Sequence, residues 1–318
     1  MKYVFFDIEC AAVFKNVAKI CAFGYVVTDE QFNVLAREDI LLNPKGKFHL
    51  TDRKGGDGIV LPYEYEDFKK YPPFPSAYPK IRALLEEKEH VVLGHATMND
   101  VKYLNLETHR FHLPPLRFAY YDTQFLFMNI TGDYSRQCGL GAIAEALHVQ
   151  FTPHRAVDDA YATMRVCEAI CKKENADVLQ IAKKYKIVAG RTQGGKIAPA
   201  DSQGHKDYLR KREEEKQIRA KAHEKFYRFV NSNMPRRAKT GPLLGKSFCF
   251  DKELENDVAV SVQLAGAIFR QGGKYTSHPT ECNVFIARGE DTPARHVAAQ
   301  HGAEVIAYER FQTAVESV

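Results

Sequence analysis

Two carboxylates end an apolar run at the start of the chain, Met-Lys-Tyr-Val-Phe-Phe-Asp-Ile-Glu (residues 1–9). Side chains of a β-strand alternate between the faces of a sheet, so Asp7 and Glu9 project from the same face. Neighbouring carboxylates repel each other unless a cation lies between them. The pair therefore either binds a divalent metal or is an ordinary pair of solvent-exposed acids on an edge strand. Carboxylates elsewhere in the chain decide between these interpretations.

Two further carboxylates stand near predicted helix starts. Asp100 follows a short apolar strand and lies at the start of a helix predicted over residues 99–109. In the helix predicted over residues 156–172, steps of three and four from Asp159 reach mostly apolar residues, whereas the same steps from Asp158 reach a more charged face. Asp159 is therefore predicted to face the core, where a carboxylate requires hydrogen bonds or a cation. For Asp100 the alternative interpretation is a helix cap or dipole partner.

The composition is that of a globular protein. Of the 318 residues, 45% are apolar, enough to form the cores of more than one domain. The net charge of +5 is compatible with an anionic partner such as nucleic acid but does not require one. The seven cysteines include no C-x-x-C pair, which favours a reduced, cytoplasmic chain. We expect neither a signal peptide nor a membrane span, because no run approaches the roughly 18 apolar residues that a span requires.

The order of elements predicts an α/β first domain. Strands are predicted at residues 1–9, 19–28 and 34–42, and their short connections favour an antiparallel meander. An irregular segment rich in Gly, Pro, Tyr and Lys follows over residues 43–79. Further strands are predicted at residues 90–93 and 116–121, and helices at 77–88, 99–109, 123–128, 139–147 and 156–172.

The composition then changes twice. From about residue 172 to 242 the chain is predominantly basic, with a charged helix predicted over residues 206–230. This segment is predicted to be a solvated connector, and the alternative is a salt-sensitive contact with nucleic acid. Beyond it, strands and helices alternate again, which predicts a small parallel sheet with helices.

Three motifs in order resemble those of the DEDDh exonucleases, the family of the DNA polymerase III epsilon-subunit proofreading domain. They are Phe6-Asp7-Ile8-Glu9, then Gly94-His95 with Asp100, then His154-Arg155-Ala156 with Asp159. The resemblance covers residues 1–173. It implies a ribonuclease-H-like fold, with a mixed sheet of three antiparallel and two parallel strands and helices on both faces. It also implies 3′-to-5′ hydrolysis of phosphodiester bonds.

The resemblance also implies roles for single residues. Asp7, Glu9, Asp100 and Asp159 would hold two Mg²⁺ or Mn²⁺ ions, with Asp7 shared between them. Such ions favour oxygen ligands, activate water and neutralise charge in phosphodiester hydrolysis. His154 would be the general base, since an ordinary histidine pKa near 6.5 suits proton removal at neutral pH.

The substrate pocket departs from the family pattern. Cys10-Ala11-Ala12 stands where epsilon-like sequences usually carry threonines and glycine, and Ala96 and Asn99 are also unusual. We expect Cys10, Ala11, Phe14 and Met98 to lie near the substrate. Phe14 and Met98 are candidates for the wedge that separates the terminal base.

The last segment resembles a BRCT domain. The resemblance rests on Leu244-Gly245-Lys246, Gly272-Gly273, Val284-Phe285-Ile286, and Thr292 before a helix that ends in His301-Gly302-Ala303. Phe250-Asp251 stands where phosphate-binding members usually carry Ser/Thr-Gly, and an acid there would repel phosphate. The expected partner is therefore a protein or a DNA end, with Arg295 as the plausible anion contact.

Three functions compete. The leading one is an exonuclease domain (residues 1–173), a basic helical linker (174–241) and a BRCT-like domain (242–318) that together act at the 3′ end of DNA. The second keeps the chemistry but trims RNA, because the residues that would read a 2′-hydroxyl are not evident. The third is a non-catalytic adaptor, which the complete set of four acids with His154 disfavours.

Overall fold

The protein is described here by a computed structural model that covers residues 1–46, 65–149, 155–236, 240–288 and 292–316. The chain divides into two compact units, Met1–Leu209 and Arg210–Val318. The predicted domain bounds after residues 173 and 241 stay predictions. His154, the predicted general base, lies outside the described residues.

A mixed sheet forms the centre of the first unit. Strands β1 (Lys2–Phe14), β2 (Val17–Thr28) and β3 (Val34–Leu41) form the predicted antiparallel meander. Strand β4 (His90–Gly94) pairs in parallel with β1, and β5 (Phe118–Asp122) pairs in parallel with β4. These five strands match the predicted set of three antiparallel and two parallel strands.

Helices cover both faces of this sheet because β1 is apolar on both. Val4, Phe6 and Ile8 pack on the face covered by α2 and α3, whereas Tyr3 and Phe5 pack on the face covered by α4 to α7. The helices of this unit are α1 (Tyr65–Phe68), α2 (Phe74–Glu86), α3 (Met98–Arg110), α4 (Thr123–Thr131), α5 (Leu140–Ala146), α6 (Ala156–Glu174) and α7 (Val178–Lys184).

The pairing of β1 with β2 is interrupted just beyond the acid pair. The register shifts between Glu9 and Cys10 and again between Cys10 and Ala12, so that Cys21 and Ala11 are left without pairing partners. Both of these residues are fully buried and cluster with Phe68 of α1. The two bulges compensate, and the hairpin continues in its earlier register to Phe14.

Within the described part of the chain this sheet has seven strands, so the prediction of five was wrong. The segment predicted as the start of the linker contributes β6 (Ile187–Val188), β7 (Gly190–Gln193), β8 (Lys196–Ala198) and β9 (Asp201–Ser202). Strand β7 pairs antiparallel with β5, and β8 pairs with β7. Gly194 and Gly195 between them have φ values of +60° and +77°, which suits a tight hairpin turn. Strands β6 and β9 form a separate small sheet.

A long charged helix follows, as predicted. Helix α8 runs from Gln203 to Asn233, and the boundary between the two units falls within it. Among the described residues, no helix is both long enough and apolar enough to cross a membrane.

The second unit contains the predicted parallel sheet, in the order β11-β10-β12-β13. Its strands are β10 (Ser247–Phe250), β11 (Lys274–Tyr275), β12 (Val284–Ala287) and β13 (Glu304–Ala307). Its other helices are α9 (Lys252–Asn256), α10 (Val258–Arg270), α11 (Pro293–Gln300) and α12 (Tyr308–Glu316), with a short 3-10 turn at Pro279–Glu281. Phe226 and Val230 of α8 pack into its apolar core.

Candidate metal centre

The acid pair lies near the middle of β1, beyond its most deeply buried residues. Tyr3 to Phe6 are fully buried, which fixes this strand in the sheet. Asp7 pairs with Gly24 and Glu9 with Ala22, and both acids are half-buried. The buried apolar part of β1 therefore holds the two carboxylates in a fixed position.

Helix α6 brings the third carboxylate. Each of three residues contributes one carboxylate oxygen to a cluster in which all three oxygens lie within 4.8 Å of one another: Asp7, Glu9 and Asp159. The neighbouring Asp158 instead forms an ion pair with Arg37. The choice of Asp159 over Asp158 from the helical pattern thus agrees with the geometry.

Gly24 allows this close approach, and the sequence analysis missed it. A Cβ atom at Gly24 would lie 2.1 Å from the carbonyl carbon of Ala156 and 2.1 Å from the amide nitrogen of Val157. The backbone at the start of α6 therefore rests directly on β2, next to the strand that carries Asp7. Close helix-to-strand contact is a reason for glycine that residue type alone does not reveal.

Asp100 lies beside this cluster on the first turn of α3. Asp100 is only 6% exposed, and burial raises the pKa of its carboxyl well above the ordinary value. The charges of Asp122 and Glu9 raise that pKa further, while a backbone hydrogen bond from Ile8 opposes the shift. Four acids from β1, α3 and α6 thus meet in one region.

The electrostatics of the cluster favour a cation. Burial, followed by the charges of Asp100, Glu9 and Asp159, raises the pKa of Asp7 well above its ordinary value. Burial, followed by Asp159 and Asp39, raises the pKa of Glu9 to about 7. A divalent ion would remove this repulsion, and hard ions such as Mg²⁺ and Mn²⁺ prefer such oxygen ligands. The donor set therefore fits the predicted metals.

Asp39 on β3 is a further acid near the centre that the sequence analysis missed. Arg155 lies directly before α6, and its Nε atom is 3.1 Å from the Asp39 carboxylate. The Asp39 side chain is 9% exposed and that of Arg155 is 50% exposed. No sequence signal marked Asp39, because its proximity depends on the pairing of β3 with β2.

The residues predicted to contact the substrate differ in how exposed their side chains are. Phe14 and Met98 are 69% and 49% exposed, so both side chains are accessible. Cys10 is half-buried, and burial raises the pKa of its thiol. The side chain of Ala11 is fully buried against Cys21 and Phe68, which excludes it from direct contact with a substrate.

Arg295, the predicted anion contact, lies in the other unit and is half-buried on α11.

The mixed sheet, with an acidic cluster at its first strand, defines an α/β protein of the ribonuclease-H-like class. The model of the RNase_T family, described as Exonuclease, matches residues 4–167, which is more than half of the chain. The chain therefore belongs to this exonuclease family, and its first unit is a nuclease domain. No curated protein sequence matches the chain.

The solved structures that this chain resembles have low sequence identity to it. One is a 3′-exonuclease from a structure of 3′-end-specific recognition of a histone mRNA stem-loop, with 14% identity and a TM-score of 0.50 over 64% of this chain and 91% of the other. Another is the zinc-bound E. coli ExoI–single-stranded DNA complex, with 14% identity and a TM-score of 0.47 over 58% of this chain and 42% of the other. The nuclease domain of 3′hExo, a DEDDh family member bound to rAMP, has 16% identity and a TM-score of 0.45 over 54% of this chain and 91% of the other.

Proposed function

We propose that this protein is a 3′-to-5′ exonuclease that removes nucleotides from DNA with the aid of two divalent metal ions. The observation that carries this proposal is the meeting of the Asp7, Glu9 and Asp159 oxygens within 4.8 Å of one another. Membership of the exonuclease family supports the reaction class. Two Mg²⁺ or Mn²⁺ ions held by these acids and Asp100 would activate water and stabilise the charge that develops on the phosphate.

The chain's own groups have separate tasks in this proposal. Asp7, Glu9, Asp100 and Asp159 hold the centre, and their mutual repulsion makes them strong cation ligands. His154 accepts a proton from the attacking water as general base. The exposed side chains of Phe14 and Met98 contact the terminal nucleotide, and the half-buried Cys10 lines the pocket beside it.

The second unit would recruit the nuclease through a BRCT-like fold, with α8 and its flanks as the basic connector. The parallel order of its four strands is compatible with this proposal. Asp251 is 1% exposed, and its carboxylate accepts hydrogen bonds from the amides of Leu254 at 2.8 Å and Arg288 at 2.6 Å. A buried acid that already accepts these hydrogen bonds favours docking to a protein or a DNA end over phosphopeptide binding. The half-buried Arg295 is the proposed anion contact.

The same fold is compatible with RNA as the substrate, because the similar structures include one that involves an mRNA stem-loop and one that contains single-stranded DNA. Digestion of end-labelled single-stranded DNA and RNA with Mn²⁺, and with a chelator in place of the metal, separates the candidates. Release of nucleotides from the 3′ end of DNA supports the proposal. Preference for RNA supports the trimming alternative, and no release from either substrate supports the adaptor.

A matched pair of variants ties this activity to the centre. Asp159→Asn should abolish the metal-dependent release, whereas Asp158→Asn should lower it only in part, because Asp158 lies outside the cluster and acts through its ion pair with Arg37. Equal activity of the two variants would contradict the assignment.

A further inference from the structure

The carboxylate of Asp122, at the end of β5, accepts hydrogen bonds from three backbone amides. Its Oδ1 atom accepts hydrogen bonds from the amide of Ala96 at 3.1 Å and the amide of Gln124 at 2.9 Å. Its Oδ2 atom accepts a hydrogen bond from the amide of Thr97 at 2.9 Å. The Gln124 bond caps α4, whereas the other two bonds cross to the loop between β4 and α3.

That loop determines where Asp100 stands. Asp122 is in register with Gly94 across the parallel pair of β4 and β5, and the loop begins directly after Gly94. Ala96 has a φ of +52°, a left-handed conformation that a non-glycine residue adopts only when its surroundings hold it. The carbonyl of Thr97 then accepts the hydrogen bond from Val101 at 3.0 Å that closes the first turn of α3 around Asp100.

A second set of contacts holds the same loop from the side. Burial lowers the pKa of His95 to about 4, so its ring is neutral. Its Nε2 atom lies 3.2 Å from the carbonyl oxygen of Cys138, and its Nδ1 atom lies 3.0 Å from the hydroxyl of Thr123. A neutral ring can donate from Nε2 to the Cys138 carbonyl. The Thr123 hydroxyl has one proton for two acceptors, Nδ1 of His95 and the carbonyl oxygen of Gly94 at 3.1 Å. The side chain of Gln124 also donates to the Cys138 carbonyl at 2.7 Å.

The contacts of His95, Ala96 and Thr97 hold the loop that leads into α3. We infer that Asp122 is a positioning residue that fixes the loop at Ala96 and Thr97 and thereby aims Asp100 at the metal centre. This inference rests on the proposed function, since it assigns Asp122 to the same centre without contact with metal or substrate. Partners of metal ligands commonly change metal affinity by about 10- to 100-fold when they are removed.

The simpler role for Asp122 is to cap α4, and one substitution separates the two roles. In Asp122→Ser the shorter side chain keeps an oxygen suited to capping a helix, but it is too short to reach Ala96 and Thr97. Asp122→Asn is the second variant because it keeps the size of the side chain and one acceptor oxygen. The matched control is Asp133→Asn, since Asp133 also accepts a backbone amide, from Ser135 at 2.9 Å, in an exposed turn.

The full-length chain is titrated with Mn²⁺ alone by isothermal calorimetry, and amide exchange is followed over residues 94–104 by mass spectrometry. We expect Asp122→Ser to weaken Mn²⁺ binding about 10-fold or more and to speed exchange in this segment, with both unchanged in Asp133→Asn. Nuclease assays should show a lower kcat and a higher Mn²⁺ requirement with an unchanged KM for the oligonucleotide. A folded Asp122→Ser variant with wild-type affinity and exchange would overturn the inference.

If Asp122→Ser does not fold, the same two measurements on Asp122→Asn decide in the same way. Failure of the proposed function has a different outcome. A wild-type chain that binds Mn²⁺ but releases no nucleotide contradicts the nuclease, while the calorimetry and exchange still judge the role of Asp122.

Discussion

Arg155 and Asp39 form an ion pair, 3.1 Å from Nε to carboxylate, between the start of α6 and β3. A second pair, between Arg37 and Asp158, connects the same two elements with the charges exchanged. The basic residue belongs to the helix in one pair and to the strand in the other. The two pairs therefore fix the start of α6 against β3, and with it the position of Asp159.

Removal of the first pair should reduce both stability and activity. In Arg155→Gln the largely buried Asp39 carboxylate loses this partner, and we expect a loss of about 1 to 2 kcal/mol in the free energy of unfolding. Nuclease activity should fall about 10-fold as Asp159 moves. Urea unfolding and a nuclease assay test this. Arg82→Gln, which breaks the exposed pair with Glu86 within α2, is the control and should cost under about 0.5 kcal/mol.

Neutralising a carboxylate of the centre should lower nuclease activity but raise the stability of the metal-free protein. We expect Asp7→Asn to lower metal-dependent nucleotide release by at least about 10³-fold, because a ligand shared between the proposed ions is lost. The metal-free variant should be more stable than the wild type, by on the order of 1 kcal/mol, because burial and four neighbouring acids destabilise the charged form of Asp7. Thermal unfolding in a chelator measures the second effect. A variant that unfolds more readily than the wild type would contradict this account.

The metal-free protein should lose stability as the pH rises through the range in which Glu9 titrates. Burial raises the pKa of Glu9 from 4.5 to about 7, so the folded state keeps a proton that the unfolded state has already released. The stabilisation is complete below about pH 4.5 and is lost as the pH rises to about 7, with an amplitude of about 1 to 3 kcal/mol.

Added Mn²⁺ should reverse this trend, because it binds deprotonated carboxylates and its stabilisation grows with pH. Thermal unfolding between pH 4.5 and 8, with chelator or with Mn²⁺, measures both effects. Glu9→Gln should flatten the decline seen in chelator. The same slope in that variant and in the wild type would show that other groups are responsible.

Gly24→Ala should damage the centre without touching any carboxylate. The added Cβ would meet the backbone of Ala156 at 2.1 Å, so the start of α6 must move away from the sheet. We expect at least about a 10-fold loss of activity and a loss of about 1 to 3 kcal/mol in the free energy of unfolding. Gly141→Ala is the control, since none of the residues that the structure describes lies within 4 Å of its added Cβ, and it should leave activity unchanged. Denaturation and nuclease assays on both variants test the difference.

The sequence predicted those parts of the molecule that depend on local patterns. Strands β1 to β5 of the first unit and the helices that carry Asp100 and Asp159 follow from hydrophobic periodicity. The parallel direction of β4 and β5 was implied by the family resemblance, and the parallel sheet of the second unit followed from the alternation of strands and helices. Periodicity also distinguished Asp159 from Asp158, because the two acids point to different faces of one helix.

Residues whose roles depend on strand pairing were not predictable in this way. Asp39 acts on the centre across β2, and Gly24 matters because a helix distant in sequence rests on it. The basic composition and the glycines of residues 190–204 indicate a linker, and only the pairing of β7 with β5 and of β8 with β7 makes these strands part of the sheet. Ala11 was expected near the substrate, but a bulge turns its side chain into the core.

The paired bulges at Ala11 and Cys21 also restrict how the hairpin can vary in length. Each adds one residue to one strand, and together they leave Phe14 opposite Val17 in the register that Asp7 keeps with Gly24. A single insertion or deletion in β1 between Asp7 and Phe14 would take Phe14 to the opposite face of the sheet unless another bulge absorbed it. We therefore expect a longer hairpin that keeps Phe14 on its present face to grow by two residues in each strand.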